Sequence, residues 1–244
     1  MQKSEIELNS FATRCFRDVA DRDYICARMC YRASLISQFH WSALQAFEKY
    51  FKAILLYNRI KAKNVGHNLV HARELSKKVP FEIELSETSE NLLGHLDTYG
   101  RFRYLETSYF TKGPKLFELD KAVWELRRYC RVLNYTSRNH KNELVPMLEP
   151  ELNGIKYYAK RPPQEFTIIG GALERIIGKS SDPARTHLVW QNAFYGRSRR
   201  KSVSIPTYLY AENSPLFLNP KILDDVLEYV HLPKEVIDAF RKSS

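Results

Sequence analysis

The sequence has no long hydrophobic run and few residues of the kinds that break helices or cross-link chains. Its 244 residues include 9 Gly, 11 Pro and 4 Cys, and hydrophobic residues make up 44% of the total. No apolar run approaches the ~18–20 residues needed to span a bilayer, so we expect no transmembrane segment. The apolar fraction is too high for a disordered chain, and the low Gly and Pro content excludes a collagen-like or low-complexity protein.

The start of the chain also lacks a targeting signal. Residues 1–5 mix charged and polar side chains and are not followed by the apolar core of a secretory signal. The cysteines form no C-x-x-C pair and have no further ligands at a metal-binding spacing, so we expect free thiols buried between helices. These features predict a cytoplasmic protein with no membrane partner, no bound metal and no cofactor.

Positive charge is what the sequence has in excess. Lys and Arg number 38 against 28 Asp and Glu, which gives a formal net charge of +10. Most of this excess lies in residues 1–140. The charge leaves nucleic acid or another polyanion open as a partner. It does not establish one, because exposed Lys and Arg are also the ordinary solubilising residues.

Residues 1–140 predict an all-α bundle of about five helices. Before the turn at Gly113-Pro114 they contain one proline, Pro80, and few glycines. So few breakers favour long helices joined by short loops. The expected helices run from about Asn9 or Ser10 to Arg32, from Ser37 to Ile60, from Leu69 to Lys78, from Ser86 to Thr98, and from about Asp120 with Cys130 and Leu133 still on the apolar face.

Residues 141–244 are expected to form a mixed or helical C-terminal extension, or a small domain of unknown type. Prolines and the Gly170-Gly171 pair are frequent up to Pro206, alongside aromatic and β-branched residues. The expected elements are a helix or a strand–turn unit over 167–177, a strand-like alternation over 202–210, a helix that begins at Asn219-Pro220, and a final helix after Pro233.

The densest polar pattern lies on the predicted second helix. Gln45, Glu48, Lys49 and Lys52 fall along one side of that helix, beside its apolar stripe. The plain alternative is a solvated face, in which Glu48 and Lys52 form a pair that contributes about 0.2–0.5 kcal/mol.

A histidine pair follows this helix, in the stretch from Gly66 to His71. His67 and His71 are four residues apart, which suggests a zinc pair. The zincin pattern needs a Glu directly after the first His, and Asn68 occupies that position. We therefore expect no metal here, and a structural hydrogen bond for His67 at the entry of a helix.

The segment from Gln45 to Leu56, QAFEKYFKAILL, followed by a polar loop and Gly66-His67-Asn68-Leu69, resembles HEPN domains (higher eukaryotes and prokaryotes nucleotide-binding). Asp23-Tyr24 with Ala27-Arg28 resembles the opening of their first helix, and GRFRY at 100–104 lies where many members carry Arg-Tyr. The similarity covers about residues 10–135. It implies an all-α bundle, often dimeric, from toxin–antitoxin, abortive-infection (phage-defence) or nucleotidyltransferase-linked systems of prokaryotes.

Many HEPN proteins are metal-independent ribonucleases that carry an Arg-x4–6-His motif, and none of the 7 histidines here follows an arginine at that spacing. The resemblance therefore implies a non-catalytic module that binds a nucleotide, RNA or a partner protein such as a nucleotidyltransferase. Its ligand would contact the Gln45, Glu48, Lys49 and Lys52 face with His67, or the arginines from Arg127 to Arg131. Two alternatives stay open: a divergent ribonuclease using Arg127, Arg131 and His140 across a dimer, and a structural or regulatory dimeric subunit.

Two basic clusters are candidates for phosphate contacts. Arg127 and Arg131 share a face of the predicted last helix, Arg128 flanks them, and guanidinium groups suit bidentate phosphate binding. Arg197, Arg199, Arg200 and Lys201 follow an aromatic-rich stretch, a combination typical of nucleic-acid contacts. The plain alternatives are a basic solvated face for the first cluster and an exposed loop for the second.

Overall fold

The structure is a computed structural model that describes residues 3–101, 105–161, 169–196, 202–204 and 207–243. Within these ranges the chain is largely helical, which confirms the coarse prediction of a helical fold. No helix among the described residues is both long enough and apolar enough to cross a membrane.

The first part of the chain contains six α-helices and one strand. They are α1 (Lys3–Phe11), a π-helical stretch (Ala12–Arg17), α2 (Asp18–Arg32), α3 (Ile36–Tyr57), α4 (Leu69–Ser76), α5 (Glu87–Tyr99), β1 (Tyr109–Gly113) and α6 (Lys115–Arg127). The second part contains β2 (Thr136–Arg138), β3 (Leu144–Pro146), α7 (Leu148–Ala159), α8 (Ala172–Gly178), α9 (Arg185–Val189), β4 (Tyr208–Glu212), α10 (Pro215–Leu218), a 3-10 turn (Pro220–Ile222), α11 (Leu223–Tyr229) and α12 (Lys234–Ser243).

Helix α3 lies at the centre of the core because its apolar residues recur every three or four positions. The apolar residues predicted to form one stripe along this helix are all buried, the first being Phe39 and the last Tyr57. The opposite side of α3 keeps half-buried polar positions, among them Gln45 and Lys49. The helical period therefore fixes both the buried face and the polar face of α3.

The first predicted helix begins earlier than expected. Asn9 and Ser10 lie inside a continuous helix that starts at Lys3, so neither is a cap. The Asn9 side chain instead accepts a hydrogen bond from Arg59 Nη2 at 2.9 Å, and its carbonyl accepts one from the Thr13 hydroxyl at 2.8 Å. The predicted start at Asn9 or Ser10 was wrong, and the polar groups of Asn9 find partners on a neighbouring turn and on the loop after α3.

Helix α6 also differs from its predicted position. It starts directly after Pro114, whose fixed φ suits a helix entry, and it ends at Arg127. Cys130 and Leu133 are buried, but they lie beyond the helix. Arg131 is therefore not on a common helical face with Arg127, contrary to the sequence prediction.

The segment after residue 141 contributes to the same core as the bundle. Ile155 on α7, Leu173 on α8, Leu188 on α9 and Tyr195 belong to the apolar cluster that surrounds α3. Residues 172–178 form a helix, which decides between the two alternatives for the described part of 167–177. The last helices, α10 to α12, build a smaller apolar cluster of their own around Leu216 and Val236.

Two short antiparallel pairs complete the fold. β1 pairs with β4 from Tyr109↔Glu212 to Gly113↔Tyr208, and β2 pairs with β3. The strand predicted over 202–210 is found from Tyr208 onward, after Pro206, a residue type that cannot donate to a ladder. The β1–β4 pairing connects the C-terminal part of the chain to the segment just before α6.

Candidate functional site

The structure brings together the polar face of α3 and His67, as the sequence predicted. We call Gln45, Glu48, Lys49, Lys52 and His67 the α3 polar cluster. Glu48 is its centre: it is buried, Oε1 accepts a hydrogen bond from Lys52 Nζ at 2.5 Å, and Oε2 lies 2.6 Å from His67 Nδ1. Because both oxygens have partners, this buried carboxylate fixes the positions of Lys52 and His67.

Asp23 on α2 completes the cluster. Lys49 Nζ donates to Asp23 Oδ2 at 2.6 Å and to Gln45 Oε1 at 3.0 Å. The Gln45 amide nitrogen lies 3.1 Å from His67 Nδ1 and 3.4 Å from Glu48 Oε2. Asp23 was not predicted as a site residue and entered only through the family resemblance. A contact between α2 and α3 leaves no local spacing signal in the sequence.

The loop before α4 determines the position of His67. Gly66 adopts φ +52°, in the left-handed region that favours glycine, and Asn68 caps α4 by accepting the His71 N–H at 2.7 Å. The His67 ring packs edge-on against Trp41, with ring centroids 5.0 Å apart. The predicted structural hydrogen bond of His67 is confirmed, and its acceptor is Glu48.

The ring of His67 is half exposed, with 49% of its side chain accessible. Its hydrogen bonds with described residues all involve Nδ1. The short contact with the Glu48 carboxylate holds the ring through Nδ1, which leaves Nε2 without a partner among the described residues. Lys49 and Lys52, with 22% and 21% of their side chains accessible, lie on the same face. The cluster is an organised site at the surface rather than a loose set of charges.

Arg127 is not a surface ligand residue, which corrects the sequence prediction. Its guanidinium is buried between two carboxylates: Nε and Nη2 bind Asp21, and Nη1 and Nη2 bind Glu174, at 2.6–2.8 Å. Burial alone would lower the pKa of Arg127, but Asp21 and Glu174 raise it well above its ordinary value. All three guanidinium nitrogens of Arg127 thus donate to carboxylates inside the fold.

Arg128 and Arg131 are also held by the protein. Arg128 is buried, stacks on Trp124 with its guanidinium 5.8 Å from the ring, and donates from Nε to the Trp124 carbonyl at 3.2 Å. Burial lowers the pKa of Arg128. Arg131 donates to Glu151 at 2.5 Å, at the wall of an open cleft of about 1,040 Å³. Arg127 and Arg128 are buried, whereas Arg131 borders this cleft.

The alternative ribonuclease set, which was predicted to form across a dimer, is not assembled within a single chain. His140 lies in the exposed turn between β2 and β3, and no contact joins it to Arg127 or Arg131, both of which are described and ion-paired. Arg197, Arg199, Arg200 and Lys201 lie outside the described residues. The structure therefore leaves the α3 polar cluster as the one candidate set from the sequence whose described members lie together at the surface.

A second buried ion pair, which no sequence pattern predicted, joins α2 to α6. Arg28 on α2 binds Asp120 on α6 and donates to the carbonyls of His187 and Trp190. The Tyr24 hydroxyl donates to Asp120 at 2.6 Å and accepts from the Asn192 amide at 2.8 Å. This network joins α9 and the following loop to the bundle. In the sequence, Tyr24 and Arg28 were singled out only through the family resemblance.

Comparisons of the chain with protein-family models, with curated proteins and with solved structures find no match. Among the described residues there is no group of three or more His, Cys, Asp or Glu side chains placed to hold a metal ion.

Proposed function

We propose that the chain is a non-catalytic binding module whose α3 polar cluster takes a phosphate group of a nucleotide or of RNA. The observation that carries this proposal is the anchoring of His67 Nδ1 on buried Glu48 at 2.6 Å, with the ring half exposed beside two lysines. The two ammonium groups of Lys49 and Lys52 lie on one face beside the fixed imidazole, and they supply donors that a phosphate needs.

The internal ion pairs of the cluster support reversible binding. Lys49 rests on Asp23, whose side chain is 27% exposed, and such part-exposed pairs contribute about 0–1 kcal/mol. A phosphate can replace Asp23 as the partner of Lys49 at little cost. Glu48 stays in place because it is buried, so His67 and Lys52 keep their positions when a ligand binds.

The absence of catalysis is part of the proposal. The sequence carries no Arg-x4–6-His spacing, and Arg127 and Arg131 are engaged by carboxylates. We also propose that the resemblance of residues 10–135 to HEPN domains reflects membership of that group. A role in a toxin–antitoxin or phage-defence system, with a nucleotidyltransferase as partner, follows from that membership and is proposed with it.

The proposal is tested by titrating the protein with nucleoside mono- and triphosphates and a short RNA in a calorimeter. We expect saturable binding of at least one of these ligands, weakened about tenfold in Lys49→Ala and in Lys52→Ala, the loss expected from one charged hydrogen bond. Lys77→Ala is the control, because Lys77 forms a similar pair with Glu74 on the exposed part of α4. The absence of binding across the panel overturns the proposal.

A second candidate function is that of a dimeric or partner-binding subunit. It is favoured by exposed large apolar side chains on the C-terminal helices, namely Phe217, Leu218, Tyr229 and Val230. Light scattering should then report a dimer that Tyr229→Lys disrupts and that Leu144→Lys, at an exposed apolar position of β3, leaves intact. A monomer at all concentrations counts against homodimerisation.

A further inference from the structure

A second surface, which includes two arginines that form no ion pair with a described residue, lies between the continuous helix of residues 3–32 and α8. It contains two clefts, of about 630 Å³ and about 570 Å³, which adjoin because both include Arg22 and Arg175 in their walls. We call these two clefts together the α2–α8 groove. Its cations are Arg14, Arg22, Arg175 and Lys179, all of them exposed.

The acidic residues of the groove offset part of this charge but form no ion pair with Arg14 or Arg22. Asp18 lies between Arg14 and Arg22 on the helix, but Arg17 and Arg175 hold it at 2.9 and 3.0 Å. Glu7 and Asp182 lie in the walls of different clefts. Among the described residues, Arg14 and Arg22 form no ion pair, so their guanidinium groups remain for a ligand.

The spacing of the groove arginines is suited to a chain of phosphates. Arg14 and Arg22 are eight residues apart on a continuous helix, which separates their backbones by at most about 12 Å at about 1.5 Å per residue. A phosphodiester chain that follows the helix can contact each arginine with a different phosphate.

The groove also has exposed apolar side chains beside its arginines. Phe11 is 51% exposed and lines the groove next to Arg14, and Met29 is 43% exposed at the other end. An exposed aromatic ring next to cations suits unstacked bases, whereas an acidic peptide would need only the charges. From these observations we infer that the α2–α8 groove binds single-stranded nucleic acid, with Arg14, Arg22 and Arg175 on the phosphates and Phe11 under a base.

This site is separate from the α3 polar cluster, and the two make different predictions. Fluorescence anisotropy with labelled oligo(dT) and oligo(rU) of about 12 nucleotides, at about 50 to 200 mM salt, measures affinity and its salt dependence. For the wild-type chain, the logarithm of the association constant should fall linearly with the logarithm of salt concentration. Arg14→Ala and Arg22→Ala should each reduce the slope by about 0.7, the value for one lost phosphate contact on a single strand.

Phe11→Ala should weaken binding by at least about fivefold without changing the slope, because stacking does not release counterions. Two variants serve as matched controls: Ile6→Ala removes another exposed apolar side chain of α1, and Lys141→Ala removes an exposed cation between β2 and β3. Both should bind as the wild type does. Thermal melting by circular dichroism shows that each variant is folded.

Several outcomes overturn the inference. If the salt dependence of binding were unchanged in both arginine variants, the groove would not contact the phosphates of the oligonucleotide. Loss of oligonucleotide binding in Lys49→Ala alone would place the nucleic acid on the α3 polar cluster, which supports the proposed function and removes the groove. Equal competition by polyglutamate of the same charge would show that bases contribute nothing. Tight binding of either oligonucleotide supports the inference. The ratio of the affinities for oligo(dT) and oligo(rU) shows whether the groove distinguishes DNA from RNA.

Discussion

Arg127, the last residue of α6, binds both carboxylate oxygens of Asp21 on α2, with Nε 2.6 Å from Oδ1 and Nη2 2.8 Å from Oδ2. The same guanidinium reaches Glu174 on α8. Arg127 and Asp21 have side-chain accessibilities of 3% and 0%. Because buried charges require close partners, this contact joins three helices that are far apart along the chain.

Removing Arg127 should therefore cost much more stability than removing a surface arginine. Arg127→Met leaves Asp21 buried without its cation, and such a loss typically costs about 3–5 kcal/mol. Arg131→Met is the control, because Arg131 is 29% exposed and pairs with Glu151, and we expect a loss of about 1 kcal/mol or less. Urea unfolding measures both values, and losses of equal size would contradict the structural role of Arg127.

Gly171 is required by the close approach of the same arginine. A Cβ at this position would lie 2.5 Å from Arg127 Nη2 and 3.2 Å from Glu174 Oε2. Gly171→Ala must displace the guanidinium, and we expect a loss of about 1–3 kcal/mol in the free energy of unfolding. Gly154→Ala, on α7 with no atom near the added Cβ, should instead raise stability by about 0.5–1 kcal/mol. Thermal or urea unfolding distinguishes the two, and a neutral Gly171→Ala would show that Arg127 has room to move.

Local periodicity explains which parts of the site could be predicted from the sequence. Gln45, Glu48, Lys49 and Lys52 share a side of α3 because the helical repeat alone places them there. Arg127 looked like a phosphate ligand for the same local reason. Its partners, Asp21 and Glu174, lie 106 and 47 residues away in sequence, and no spacing rule reveals contacts of that length.

The cysteines show the same limit. The sequence predicted buried thiols, but Cys15 and Cys26 are exposed, Cys30 is half buried and Cys130 is buried. Cys15 and Cys26 lie on the outer side of the first long helix, where they line the α2–α8 groove rather than the core. Residue type favours burial for cysteine, but the position on the helix decides it.

Thiol reactivity should follow this order. Burial raises the pKa of Cys130 above its ordinary value, and burial together with Cys26 raises the pKa of Cys30 to about 11. The thiolate is the reactive form, so Cys15 and Cys26 should be alkylated first and Cys130 only after unfolding. Peptide mass spectrometry after iodoacetamide pulses identifies the modified sites. Early labelling of Cys130 would contradict its position next to the Tyr50 carbonyl, which accepts its thiol at 3.6 Å.

Two contacting histidines, His40 buried and His95 half buried, should make the fold sensitive to mild acid. His40 Nε2 lies 2.7 Å from the Thr111 hydroxyl and 3.1 Å from His95 Nε2, with Lys115 nearby. Burial, His95 and Lys115 lower the pKa of His40 from 6.5 to about 3, and burial and Lys115 lower that of His95 to about 4. Both rings are therefore neutral in the folded state, whereas they take up protons below about pH 6.5 when the chain is unfolded.

Because the unfolded state binds more protons in this window, stability is highest above about pH 6.5 and falls as the pH drops toward 3. For His40, which is 1% exposed, the loss between about pH 8 and pH 5 is about 2 kcal/mol. Urea unfolding of the wild type and of His40→Gln at both pH values measures it. The variant should be less stable at high pH but should lose less on acidification, since it lacks the group that takes up the proton. An unchanged pH dependence in His40→Gln would mean that other groups cause the acid sensitivity.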